Sequence, residues 1–166
     1  MLTELGPHEG VSEINYDVTE VDAPLHPKNQ RLLSYWNGKR AADGLVYRRD
    51  IDPAELKPLL GGMYIVEATE EGRDLVYRLV GSQNEQRLGM RYMGKRFTEC
   101  YSAEMAEHQI AFHKRIFDSG KPAFLRGRLL GIDLEYVEFE ASYLPMCRDD
   151  GTHQMLGGMF DLAESI

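Results

Sequence analysis

Tyr47-Arg48-Arg49-Asp50-Ile51-Asp52-Pro53-Ala54-Glu55-Leu56-Lys57 decides how the rest of the chain is read, because a helix start here is followed by two strands and a sharp strand-to-helix junction. Asp52 is placed to accept from backbone N–H groups two or three residues on, Pro53 is preset for the first helical position, and Glu55 completes a capping-box spacing. Met63 to Ala68 then reads as a strand and Leu75 to Val80 as a second, joined by the polar turn Thr69-Glu70-Glu71-Gly72-Arg73. The pair ends at Gly81-Ser82, where glycine permits a sharp turn and serine can cap a short helix reaching Leu88. Tyr77 is expected to share a face with Leu75 and Leu79. Arg78 falls between Val76 and Val80 and would need a carboxylate if half-buried, with Glu67 on the neighbouring strand the candidate.

Upstream, Leu32, Leu33, Tyr35 and Trp36 form an apolar patch at helical spacing between Lys28 and about Ala42, and Gly44 marks a stop. Such a helix needs a partner surface. Residues 1–27 carry Asp, Glu, Pro and His with single scattered apolar residues, so an extended or mobile arm is expected there. Downstream, the longest helix should run from about Ser102 to Ser119, capped by Ser102 and ended by Gly120 with Pro122. Its apolar stripe is Ala106, Ile110, His113 and Phe117, flanked by Phe112 and Ile116. Three strands should follow, at about Ala123 to Leu130, Glu135 to Met146 and His153 to Leu162, the last two separated by the hairpin turn Arg148-Asp149-Asp150-Gly151-Thr152. The organisation expected is an N-terminal arm (1–27), an N-terminal helix (28–45) and one α+β domain (46–166) with an antiparallel sheet.

This order, with a tryptophan helix before it, resembles a bacterial family of PAS domains, the PAS-5 type. The matching residues are Trp36, Arg49-Asp50-Ile51-Asp52-Pro53, Leu56, Leu60, Tyr77-Arg78-Leu79-Val80-Gly81, Gly89 and Gly94, over roughly residues 30 to 162. The resemblance implies a five-stranded antiparallel sheet in the order 2-1-5-4-3, helices on one face, and a role in signal transduction. It implies no particular ligand. Composition supports the placement independently: Met63-Tyr64-Ile65-Val66 and Met155-Leu156-Gly157-Gly158-Met159-Phe160 are apolar on both alternating faces, as central strands should be. By contrast Val137, Phe139, Ala141 and Tyr143 alternate with Glu138, Glu140 and Ser142, which predicts one solvated face. Arg126 and Arg128 should meet Glu138 and Glu140 there as exposed pairs, typically about 0.2–1 kcal/mol each. The remaining open face of the sheet needs a cover, either the Leu32, Leu33 and Trp36 helix folding back in cis or the same helix from a second subunit, so a homodimer through this face is expected.

A chain of 166 residues suits one domain with a sizeable core, and a formal charge of −8 argues against an electrostatic footprint on nucleic acid or an anionic membrane. The sequence has neither a bilayer-length apolar run nor the basic start and apolar core of a signal peptide, so a soluble cytoplasmic protein is expected. Cys100 and Cys147 form no CxxC pair and read as free thiols.

His113 is the one titratable group on the apolar stripe of the long helix. Within a PAS domain it would ligate a haem iron or bind a polar group of a ligand; the simpler reading is a core histidine hydrogen-bonded to a neighbour. His108, about 500° away around the helix, makes no metal pair with it. Tyr77, His113, Phe117, Phe139 and Tyr143 are the candidate lining of a small-molecule pocket between sheet and helices, although the same aromatics also fill ordinary cores. No HExxH, GxSxG or phosphate-loop spacing occurs, and the flavin-attaching NCRFLQ-like motif is missing, so no cofactor is assigned and no enzyme is expected. His113 as an acid or base is the remaining enzymatic reading. Arg48-Arg49-Asp50 would bind an anion or tie the linker to the core. The function expected is that of a regulatory or sensory PAS domain that binds a small ligand or a protein partner and signals to a separate polypeptide, with a ligand-free interaction module as the alternative.

Overall fold

In the computed structural model, which describes residues 2–5, 14–88, 91–131 and 134–165, the Asp52 carboxylate accepts from the Ala54 N–H at 2.9 Å and opens a 3₁₀ segment, Pro53–Gly62. The elements in chain order are β1 (Leu2–Leu5), β2 (Ile14–Val21), α1 (Pro27–Gly38), β3 (Met63–Thr69), β4 (Asp74–Val80), α2 (Ser82–Leu88), α3 (Phe97–Cys100), α4 (Ala103–Ser119), β5 (Ala123–Gly131), β6 (Leu134–Cys147) and β7 (His153–Asp161). Ser102 caps α4 by accepting from the Met105 N–H at 3.2 Å, and Gly120 ends it in the left-handed region at φ 67°. Gly89, part of the family resemblance, and the side chain of Val137 lie outside the described residues.

All strand pairs are antiparallel and the order is β1-β2-β5-β6-β7-β3-β4. The sheet therefore exceeds the expected five strands. The run β4-β3-β7-β6-β5 follows the expected order, but β2 adds to the outer edge of β5, from Ile14↔Gly131 to Val21↔Phe124, and β1 continues beyond it. Part of the arm expected to be extended or mobile is thus sheet, and the middle of the layer moves to β6. A strand that borrows its hydrogen-bonding partners from an existing edge needs few apolar residues of its own, which is why composition did not announce it.

The β3–β4 register corrects a second expectation. Ile65 faces Leu79, yet the next residue, Val66, faces Tyr77, so Arg78 is the extra residue of a β-bulge. The insertion splits the expected face: Leu75 and Tyr77 pack toward α3 and α4, whereas Leu79 joins Ile65 on the opposite side. Arg78 does find Glu67, at 3.0 Å from Nε and 2.7 Å from Nη2 to Oε2, while Gln154 and Arg148 donate to Oε1. Gly157 is paired with Tyr64, and a Cβ there would lie 2.0 Å from the Tyr64 ring. Only glycine lets the ring lie across β7.

The sheet is covered on both sides. One cluster joins Leu32 and Trp36 of α1 to Leu56 and Leu59 of the 3₁₀ segment and to Ile65, Leu144, Leu156 and Phe160. The other joins Val66, Leu75 and Met155 to Phe97 and Ile116 from the helices of the second layer. Leu32 and Trp36, expected as interface residues, are 0% and 2% exposed within this single chain, and the Trp36 Nε1–H donates to the Pro145 carbonyl at 2.8 Å. Leu33 is half-buried against the same cluster. The cover is supplied in cis, so Leu32 and Trp36 offer no exposed interface.

The polar side of β6 is solvated only at Glu138 and buried farther along the strand. Glu140 and Ser142 are fully buried. The Glu140 carboxylate accepts from the Leu25 N–H at 2.8 Å, the His26 N–H at 2.9 Å, Asn29 Nδ2 at 3.1 Å and Arg126 Nε at 2.9 Å, and Ser142 Oγ–H donates to Asn29 Oδ1 at 2.8 Å. Burial alone would push the Glu140 carboxyl up, but the donors from Leu25, Arg126, His26 and Asn29 outweigh it and hold the group below its ordinary range. Arg128 approaches Asp17 of β2 at 3.7 Å. The expected Arg126–Glu140 pair across the hairpin is therefore present, and Arg128 lies opposite Glu138 in the register, but Glu140 is buried rather than exposed and also clamps the start of α1.

Candidate functional site: an aromatic cavity under the sheet

On the α4 side of the sheet, an internal space of about 110 Å³ lies between the strands and the helices. β6 supplies Phe139, Ala141 and Tyr143; β3 and β4 supply Tyr64, Val66 and Tyr77; α4 supplies Gln109 and His113; Phe97, Tyr101, Tyr92 and Met159 complete much of the wall. Alternation along β6 explains how one strand serves two purposes: its odd residues face this space and its even residues hold α1.

Tyr77, His113, Phe139 and Tyr143 of the sequence-based candidates lie in the wall together. Phe117 does not. It sits one helical turn beyond His113, where its ring stacks on His153 of β7 at 4.9 Å and 16°. Tyr64, Tyr92, Tyr101, Asn84 and Gln109 are wall residues that the sequence reading missed. Tyr64 was accessible from the alternation of β3 and Gln109 from its i−4 position relative to His113. Tyr92 and Tyr101 flank α3, whose four residues are too short to show a helical period.

His113 is 2% exposed, and its Nδ1 lies 2.8 Å from the Gln109 carbonyl oxygen. A carbonyl only accepts, so Nδ1 carries the hydrogen and Nε2 is left as an acceptor. Nε2 is buried and has no hydrogen-bond partner among the described residues. Burial lowers the imidazole pKa to about 4, so the ring is neutral at pH 7. Tyr77 and Tyr101 share a hydrogen bond of 2.5 Å between their hydroxyls, and Tyr64 donates to the Ser142 carbonyl at 3.0 Å. Burial raises the Tyr143 phenol to about 12 and the Tyr77 phenol well above its ordinary value. The cavity is uncharged and largely aromatic, and the wall residue His113 has an acceptor nitrogen without a hydrogen-bond partner among the described residues.

These features bear on the chemistries considered. Burial pushes the Cys100 thiol up to about 11, which keeps it protonated and a poor nucleophile. Among the described residues, no group of three or more His, Cys, Asp and Glu side chains is arranged to hold a metal ion, and no helix is long and apolar enough to cross a membrane. His113 Nε2 has the donor chemistry for a haem iron. The space does not match, because at about 110 Å³ it is smaller than the roughly 150 Å³ cavity that takes a benzene, far short of a porphyrin. The Arg49 guanidinium pairs with Asp149 and lies 4.2 Å from the Tyr47 ring, which ties the linker to the β6–β7 turn.

The neutral state of His113 has a measurable consequence. An unfolded imidazole titrates near 6.5, so between pH 6.5 and about 4 the unfolded chain takes up a proton that the folded chain refuses. The contribution is intact above pH 6.5, declines as pH falls, and levels off below about 4. At 1.36 kcal/mol per pKa unit the loss is ~3 kcal/mol. Urea unfolding followed from pH 7 to pH 4 should show this extra loss in the wild type and not in His113→Phe; parallel pH curves would refute it.

The sequence model of the PAS domain family matches residues 25–160 of this chain. The chain belongs to the PAS domain family. No curated protein matches it. Among solved structures, this PAS domain is similar to one described as "Structure of an RNA-binding Light-Oxygen-Voltage Receptor", at 15% identity and a TM-score of 0.45, covering 90% of this chain and 39% of the receptor.

Proposed function

We propose that this PAS domain is a non-enzymatic sensory or regulatory module that holds a small molecule in the cavity between sheet and helices and passes the signal to another polypeptide by changing the contacts of α1. The observation that carries this reading is the buried Nε2 of His113, an acceptor without a partner among the described residues, on a side chain that lines an aromatic cavity. Buried polar atoms are nearly always satisfied, and an orphan on a residue that lines a cavity suits a ligand that completes it.

The route to the surface is short. Phe139, Ala141 and Tyr143 touch the cavity, and Glu140 and Ser142 between them hold Asn29 and the backbone at Leu25 and His26. A ligand that shifts β6 changes the clamp on α1 directly. For this to work, the ligand must bind one arrangement of strand and helix better than the other. Because α1 covers the sheet in cis, contact with a partner or a second copy follows from loosening α1. Native mass spectrometry of the protein purified from its host tests the reading: a retained small molecule that departs on collisional heating is expected, and a chain of bare sequence mass would overturn it.

A further inference from the structure

We infer that the ligand is an uncharged single-ring aromatic molecule bearing a hydrogen-bond donor, of the phenol class, with that donor directed at His113 Nε2. This rests on the ligand-binding reading above and adds the chemistry of the occupant. The first argument is the fixed role of the imidazole. Nδ1–H is committed to the Gln109 carbonyl at 2.8 Å, and the opposite tautomer would set a lone pair against that oxygen. The ring is also hemmed in edge-to-face by Phe97 at 5.5 Å and Tyr143 at 5.6 Å. Nε2 can therefore only accept, and the occupant must donate.

The second argument is charge. None of the described wall residues carries a formal charge, so a carboxylate, phosphate or ammonium group would lose its hydration without an ionic partner. The third is shape. A space of about 110 Å³ walled by Phe97, Phe139, Tyr77 and Tyr143 suits one ring against their faces and edges. It is somewhat smaller than the roughly 150 Å³ that takes benzene, but Met159 is part of the wall and an unbranched thioether repacks readily.

Isothermal titration of the whole chain at pH 7 with phenol, toluene and benzoate decides the matter. Phenol and toluene are near-isosteric, and toluene leaves water more readily, so tighter binding of phenol reports the hydrogen bond. Phenol is expected to bind about tenfold more tightly than toluene, with benzoate undetected, and His113→Phe is expected to remove the preference. The wild-type comparison stands by itself if that variant does not fold. Toluene binding as tightly as phenol, or any binding of benzoate, would overturn the ligand class and leave the sensory cavity standing. No binding of any of the three overturns the class as well; if native mass spectrometry also finds nothing retained, the ligand-binding reading falls with it.

Discussion

Glu140→Ala should lower the unfolding free energy by about 3–5 kcal/mol and free the segment around residues 23–40 for proteolysis in the folded state. Glu140 is fully buried, yet it accepts from two backbone N–H groups, from Asn29 and from the Arg126 guanidinium. Alanine cannot replace those acceptances: the buried His26 N–H and the partly buried Leu25 N–H at the entry to α1 lose their partner, and the half-buried Arg126 loses its counter-charge. Arg126 also donates to the Ala23 carbonyl at 3.0 Å, so its displacement loosens the approach to α1 a second time. Glu140→Gln keeps one acceptor oxygen and should fall between. Equal urea midpoints for wild type and alanine variant, with no new cleavage before residue 40, would contradict the clamp.

Trp36→Ala should be comparably damaging, at about 3–5 kcal/mol. The indole lies in the cluster formed with Leu32, Leu56, Leu144 and Phe160, and its removal opens a cavity that surrounding β strands cannot collapse into. It also leaves the Pro145 carbonyl without the indole donor and removes the ring beneath the Arg40 guanidinium, 4.6 Å from its centroid. The manner of the loss distinguishes the two covers considered for the sheet. With α1 packed in cis, the urea midpoints of wild type and variant are independent of protein concentration; a midpoint that rises with concentration would mean that the helix is exchanged between subunits.

The parts of this fold that could be read from the chain are those specified by neighbours in sequence. Asp52-Pro53, Ser102 and Gly120 set the ends of helical segments through their own side chains or backbone freedom, and the structure places them there. Met63 to Val66 and Met155 to Phe160 were recognisable as interior strands because both faces are apolar. Polar partners on a neighbouring strand were legible, as Arg78 with Glu67 and Arg126 with Glu140, but those on a distant element such as Asn29 and the α1 backbone were not. Glu140 and Ser142 alternate with apolar residues just as a water-facing edge would, because the pattern says that a face is polar and not what meets it. The displaced Arg78 could not be foreseen, since a bulge is a property of two strands together. His113 was identifiable from the stripe of α4, but the unused nitrogen depends on the Gln109 carbonyl, and Phe117 was misplaced because the stripe extends one turn beyond the cavity.

The irregularity at Arg78 also bears on self-association. β4 is the last strand on its side of the sheet, where an unbroken ladder would be a template for another molecule. Instead, the Tyr77 N–H and carbonyl are taken by Lys95 and Gly94 of the same chain, and the next residue, Arg78, is thrown out of register and held by Glu67. Two copies meeting at this rim would find a twisted, irregular and partly bonded border, which disfavours fibre-like stacking through β4.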